Sequence, residues 1–380
     1  MRVVLATLAL SGCGFVSKGE WQTRVGGGPS TDPNITNSSW IIHQAPIVDG
    51  QEADIAVDSD GTFHIVYRDM TRRELVYAFS DGLGGWTSTT LLETPDDTIN
   101  PTAIAVGSDG LVHIAYSHHA NDPDFDDNGV NEVRYLRLGG EGDSFSGLID
   151  DLETRFLDIV VEDGYARVAY LPFDANNGGI KFATINGEPP FNEAIMAIEG
   201  GQHINVVPDG DGWAVSHNTE WGNSVVLTRG SGDDYTAEYV CEDCQAEGTA
   251  IAMEGDTAHV AWYEIEGEWD GPGMLKYANS ATGWEPIVID HSAAWAEDMW
   301  MGINGDGVPW ICYGHDEGWG SGNIRLAHLD GDTWHIEQIG NSGDNDLWCH
   351  GDTAPDGSLH VLTRQGSLMA EPGFQISSNR

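Results

Sequence analysis

Four short stretches of this chain concentrate side chains suited to gripping a hydroxylated ligand. They are Ser117-His118-His119, the run from His217 to Trp221 with Glu220 inside it, the run from Glu264 to Asp270 with Glu266, Glu268 and Trp269, and His315-Asp316-Glu317-Gly318-Trp319. An indole face stacks on the apolar side of a sugar ring, while imidazoles and carboxylates hydrogen-bond its hydroxyls. Trp300, Arg68 and Arg364 lie near these stretches in the repeat described below. The candidate ligand-binding set is therefore His118, His119, His217, Trp221, Glu264, Trp269, Trp300, His315, Asp316 and Trp319, with Arg68 and Arg364. Paired carboxylates in the same stretches could instead do acid–base work on a glycosidic bond. A third reading makes the indoles covers for hydrophobic loop bases and the acids a solvated surface.

Asp124-Phe125-Asp126-Asp127-Asn128-Gly129 places oxygen donors at every second residue before a glycine, the front half of a calcium loop. Asp124, Asp126 and Asn128 are the candidate Ca2+ ligands. The twelfth position is Tyr135 and not Glu, so the loop is no complete EF-hand. Its alternative is a solvated acidic loop. Five cysteines are present, at 13, 241, 244, 312 and 349. In an exported chain the last four suggest two disulfides, with three connectivities open. Cys241–Cys244 and Cys312–Cys349 are the favoured pairs. A zinc site from Cys312, His315, Cys349 and His350 matches no common ligand spacing.

Composition bounds the rest. The 380 residues carry 61 Asp+Glu against 16 Lys+Arg, a formal charge of −45. Nucleic acid is excluded as a partner, because phosphate binding needs clustered Lys and Arg. Forty per cent hydrophobic residues and 14 Trp are enough for a core, so the chain is not a disordered polyanion. No apolar run reaches the length of a spanning helix. Self-repulsion at this charge favours screening by salt or divalent cations.

These side chains need a scaffold, and the sequence repeats itself. Ile55 to Tyr67 (IAVDSDGTFHIVY) is matched by Ile104 to Tyr116 (IAVGSDGLVHIAY). Weaker copies span 159–170, 204–215, 251–262, 301–313 and 353–362, with turn centres spaced 46 to 54 residues apart. Each copy runs an apolar strand into an Asp-Gly-type turn, then a second alternating strand, a variable loop and a third strand. An aromatic then opens a fourth. Four short strands at a period near 50 residues make a blade. The fold class is all-β, a β-propeller of seven four-stranded blades; six blades or an eighth partial one also fit the spacing. Segment 40–48 is expected to supply the outer strand of the last blade and close the ring, which removes an unpaired edge. His64, His113, His259 and His360 share one repeat position, filled by Arg167, Trp213 and Trp310 elsewhere. Recurrence assigns them to packing, with each imidazole bonded to a neighbouring turn.

The first residues, MRVVLATLALSGC, have a basic start, a short apolar core and small residues, the pattern of a cleaved export signal. Leu10-Ser11-Gly12-Cys13 resembles the lipobox of bacterial lipoproteins. That resemblance implies lipidation of Cys13, and Gly14 after it implies the outer membrane. The domain reading is a signal peptide over 1–12, a flexible Gly/Ser/Pro-rich tether over 13–38 and a propeller over 39–380. Ser80-Asp81-Gly82-Leu83-Gly84-Gly85-Trp86 resembles a degenerate Asp-box, the turn of sialidase-type (BNR) propellers. The resemblance covers the repeat frame, roughly 50–378. It implies that loops joining second and third strands share a face with the inter-blade loops, at the mouth of a central channel. A sialidase would also need three substrate-clamping Arg and a Tyr/Glu pair. Arg68, Arg155 and Arg364 fall near that face, but there is no Arg-Ile-Pro opening.

The resulting expectation is an extracytoplasmic binding module, held at the membrane by its lipid anchor alone, that takes a glycan or a protein partner at the loop face. A glycan-active enzyme (sialidase-like hydrolase or propeller-type polysaccharide lyase) is the alternative, and a structural envelope scaffold the third.

Overall fold

A computed structural model describes residues 35–37, 40–47, 50–93, 98–119, 131–139, 144–172, 179–185, 192–195, 203–219, 223–231, 234–265, 273–293, 299–316, 322–341, 349–365 and 373–379, apart from positions 83 and 163. They form seven four-stranded antiparallel blades. Blades 1 to 6 are contiguous, at 50–93, 98–150, 154–195, 205–242, 246–293 and 300–341. Blade 7 combines three strands from 349–378 with Ile41–Gln44, which runs antiparallel to Gly373–Ser378. The expected closure is present, and Ile41–Gln44 fastens the last blade. Ile35–Asn37, within the segment expected to be tether, adds a parallel strand to the outer edge of blade 6. A single bridge, Ala293 to His315, links blades 5 and 6.

Turn chemistry explains why the strands reverse where they do. In blades 1, 2, 6 and 7 the inner turn spans five residues, and its glycine (Gly61, Gly110, Gly307, Gly357) has φ between 76° and 81°. That region penalises any Cβ. Asp58 Oδ1 accepts from Asp60 N at 2.9 Å and Thr62 N at 2.8 Å, and Asn304 does the same in blade 6. Blades 3, 4 and 5 use two-residue turns instead.

The core is divided among the seven blade junctions, with one hydrophobic cluster at each. Period-two alternation sends one set of side chains to the preceding blade and the other to the following one. In blade 1, Phe63, Ile65 and Tyr67 pack toward blade 7, and Val66 and Tyr77 toward blade 2. The same alternation corrects one repeat assignment. Trp213 packs toward blade 3 against Phe182, with ring centroids 4.3 Å apart, while Ala214 takes the place His64 has in blade 1.

Every junction also carries a specific polar or covalent link. Asp54 accepts from Ile104 N across blades 1 and 2 (2.8 Å), Asp158 from Val206 N across 3 and 4 (2.7 Å), and Asp352 from Val57 N across 7 and 1 (2.7 Å). Asp150 of blade 2 accepts from Tyr170 and Lys181 of blade 3. Asp290 of blade 5 accepts from Tyr313 (2.8 Å) and Arg325 (3.0 Å) of blade 6. Asn205 and Asn218 donate to Thr249 and Ala246 across 4 and 5, both at 2.8 Å. Cys312 and Cys349 are disulfide-bonded across 6 and 7. A hydrogen bond to a charged group contributes about 1.5–3 kcal/mol, so these links add to burial in fixing blade order.

Candidate functional site

The inner strands enclose a central channel with a cavity of about 590 Å³. An inner strand leaves alternate N–H groups of its free edge facing the channel, and a buried N–H without a partner is costly. Three aspartates satisfy six of them, in blades 1, 2, 3, 4 and 7. Asp54 accepts from its own neighbour Ile55 N (2.8 Å) as well as from Ile104 N, and Asp158 from Ile159 N (2.8 Å) as well as from Val206 N. Asp352 bonds Val57 N and Thr353 N. Burial pushes Asp158 up to about 7, helped by the nearby charge of Asp54 and opposed by its two N–H bonds and His350. Burial likewise pushes Asp352 up to about 7 against its N–H bonds. His350 Nδ1 lies 3.2 Å from Asp54 Oδ1.

Trp300 shares the register position of Asp54, Ala103, Asp158, Asn205, Ala250 and His350 in the other blades. Its half-buried indole lies on two glycines. A Cβ on Gly302 would stand 2.5 Å from the ring, and one on Gly351 2.6 Å. Gly351 holds the position taken by Ile55, Ile104, Ile159, Val206, Ile251 and Met301 elsewhere, all apolar and larger. An oversized residue and a missing side chain thus coincide on the channel wall. The upper end of the channel adds Phe156 against His203, with ring centroids 4.5 Å apart.

The other sequence-selected residues are less uniform. His118 faces Glu132 at 3.8 Å, with Arg134 on the same carboxylate at 2.5 Å, and His119 bonds Asn131. Glu264 is held by Lys276 at 2.6 Å and Trp262 Nε1 at 3.1 Å. His217 is fully buried on the face of blade 4 that carries Trp213 and Val215, next to Thr228, and burial lowers it to about 4. His315 is buried 3.8 Å from Asp290. Arg364 is buried; Arg68 is half-buried, and burial lowers its pKa. No three-arginine clamp forms among the described residues, and neither arginine lines the channel. Asp316 ends the second strand of blade 6. Trp221, Trp269, Trp319, Asp124, Asp126, Asn128 and Cys13 lie outside the described residues. Cys241 and Cys244 are disulfide-bonded, Cα to Cα 6.1 Å, and lie near Glu264.

The repeated histidines are structural. Nδ1 of His64, His113 and His259 meets the hydroxyl of Tyr77, Tyr135 and Tyr277 in the third strand at 2.6–2.7 Å, and His360 meets Ser378 at 2.8 Å. The partner is thus within the blade and not, as expected, a neighbouring turn alone; His64 Nε2 also reaches Asp58 of its own turn at 3.2 Å. Burial lowers His113 to about 4.

Sequence reasoning missed Asp54, Asp158, Asp352 and the two glycines. A signal was present: Ala53-Asp54-Ile55-Ala56-Val57 and Leu157-Asp158-Ile159-Val160 each set a carboxylate inside an apolar strand, where it needs a partner.

No protein-family model matches the chain, and no curated protein sequence does. Solved structures match its fold. A protein of unknown function from Dyadobacter fermentans is 11% identical, with a TM-score of 0.56 over 91% of this chain and 99% of that one. YCF48 from Cyanidioschyzon merolae is 13% identical, with a TM-score of 0.52 over 89% and 98%. Trypanosoma rangeli sialidase is 11% identical, with a TM-score of 0.46, and this chain spans about half of its length (54%). The first two likenesses support the propeller architecture.

Proposed function

We propose that this protein is an exported, lipid-anchored binding propeller that takes a glycan at the channel end ringed by the second-to-third-strand loops. The observation that carries the reading is Trp300, whose indole lies over Gly302 and Gly351 beside the His350–Asp54 pair. A flat aromatic face next to hydrogen-bonding groups in a concave wall is the chemistry that holds a sugar ring. Lipidation of Cys13, outer-membrane sorting and calcium on Asp124, Asp126 and Asn128 belong to the same proposal and rest on the sequence motifs.

The direction of Ile35–Asn37 supports presentation of this end. That strand runs parallel to Thr333–Asn341, the outer strand of blade 6, which rises from the turn face to the loop face. Ile35 therefore enters at the turn side of blade 6, the end of the ring opposite the loop face. Glycan-array binding with and without EDTA, repeated with Trp300→Ala, tests the reading. Binding that Trp300→Ala removes supports it, and silence across the array removes it. Release of shortened products would replace it with the enzymatic alternative.

A further inference from the structure

The charges around Trp300 narrow the ligand, and this step rests on the glycan-binding reading above. Among the described residues the channel wall contains Asp54, Asp158 and Asp352 and no lysine or arginine. Several described cations are committed elsewhere. Lys181 pairs with Asp150, Lys276 with Glu264, Arg325 with Asp290 and Arg229 with Asp209. All four pairs lie in blades or blade junctions outside the channel lining. An acidic sugar would meet no lysine or arginine among the described lining residues, in a protein of charge −45. Low-dielectric walls focus that field instead of screening it.

A protonated amine meets the opposite situation. Asp158 and Asp352 each accept two backbone N–H groups and Asp54 accepts two beside its His350 contact, yet a carboxylate has about four lone-pair sites, so each keeps acceptor capacity toward the channel. Trp300 lines the channel half-buried, and the part of its indole not packed on Gly302, Gly351 and the blade 6–7 core is what a cation or a pyranose would meet. We infer that the channel selects glycans bearing free amino groups, such as de-N-acetylated amino sugars, over their N-acetylated and uronic counterparts.

Titration calorimetry with three tetrasaccharides tests this: glucosamine, N-acetylglucosamine and galacturonate oligomers. The glucosamine tetramer should bind at least about tenfold more tightly than the N-acetylated one, a difference of ~1.4 kcal/mol, and the galacturonate tetramer should not bind. The preference should shrink between about 0.01 M and 0.15 M salt, as the screening length falls from ~30 to ~8 Å. Equal affinity for amine and N-acetyl forms, or preference for the uronate, overturns the amine inference and leaves glycan binding standing. Failure of all three overturns the amine inference, and the glycan array decides the glycan reading. Trp300→Ala, with an unchanged circular dichroism spectrum, should lose the glucosamine tetramer. If it keeps that affinity, general surface charge attracts the amine and the channel does not, which also overturns the inference.

Discussion

His350 Nδ1 stands 3.2 Å from Asp54 Oδ1, although 296 positions separate the two residues. They belong to the last and first blades, so the contact forms only when the ring closes. Asp54 in turn accepts from blade 2, and Asp352, two residues beyond His350, accepts from blade 1. The polar seam that closes the ring is therefore continuous with the wall that would hold a ligand.

Closure depends on Trp40 and the strand after it. Trp40 is buried and meets Trp310 edge-on at 5.5 Å. Trp40→Ala should cost about 3–5 kcal/mol, the range for emptying a large aromatic site. Urea unfolding reads this, and a loss under about 1 kcal/mol would show that the N-terminal strand does not hold blade 7.

The two disulfides should differ in weight. Cys312–Cys349 closes a loop of 37 residues and Cys241–Cys244 one of 3. By chain entropy the longer loop contributes roughly 3–4 kcal/mol, and the shorter much less. Cys312→Ser with Cys349→Ser should lower the denaturation midpoint far more than Cys241→Ser with Cys244→Ser. Equal losses would contradict the assignment of the first bridge as the blade 6–7 latch.

Asp158 and Asp352 should make the ring less stable as the solution turns alkaline. Each has a folded pKa of about 7 against an ordinary 3.8. Between those values the folded state holds more protons than the unfolded one, so stability falls with rising pH. Their contribution is fully present below about pH 3.8 and lost through pH 7. The stability of the wild type relative to Asp158→Asn/Asp352→Asn should therefore decrease from about pH 5 to pH 8. A constant difference would mean that neither carboxylate holds its proton in the channel wall.

His217 has the opposite sign. Burial lowers it from 6.5 to about 4, so the unfolded state binds the proton first. Its contribution is present above about pH 6.5 and lost as pH falls toward 4. His217→Gln should flatten the acid side of the stability profile, measured as midpoint against pH. An unchanged acid limb would assign acid sensitivity to other groups.

The repeat made most of this architecture legible. Alternation and Asp-Gly turns marked blades 1 and 2 plainly, and the stray segment at 40–48 indicated closure, because both are local patterns. The site was harder to see. His217 and His315 looked like loop residues from their neighbours, yet both lie buried within second strands of their blades. Asp54, Asp158 and Asp352 pair with N–H groups 48 to 295 positions away, a relation that no local pattern encodes. Gly351 was also hidden: its meaning depends on the indole of Trp300 in the previous blade.

The most direct measurement is the location of a bound sugar. Crystals soaked with the glucosamine tetramer should show a pyranose stacked on the Trp300 indole, with its amine turned toward Asp54 or Asp352. A sugar ordered elsewhere on the ring, with the channel filled by water alone, would contradict the account.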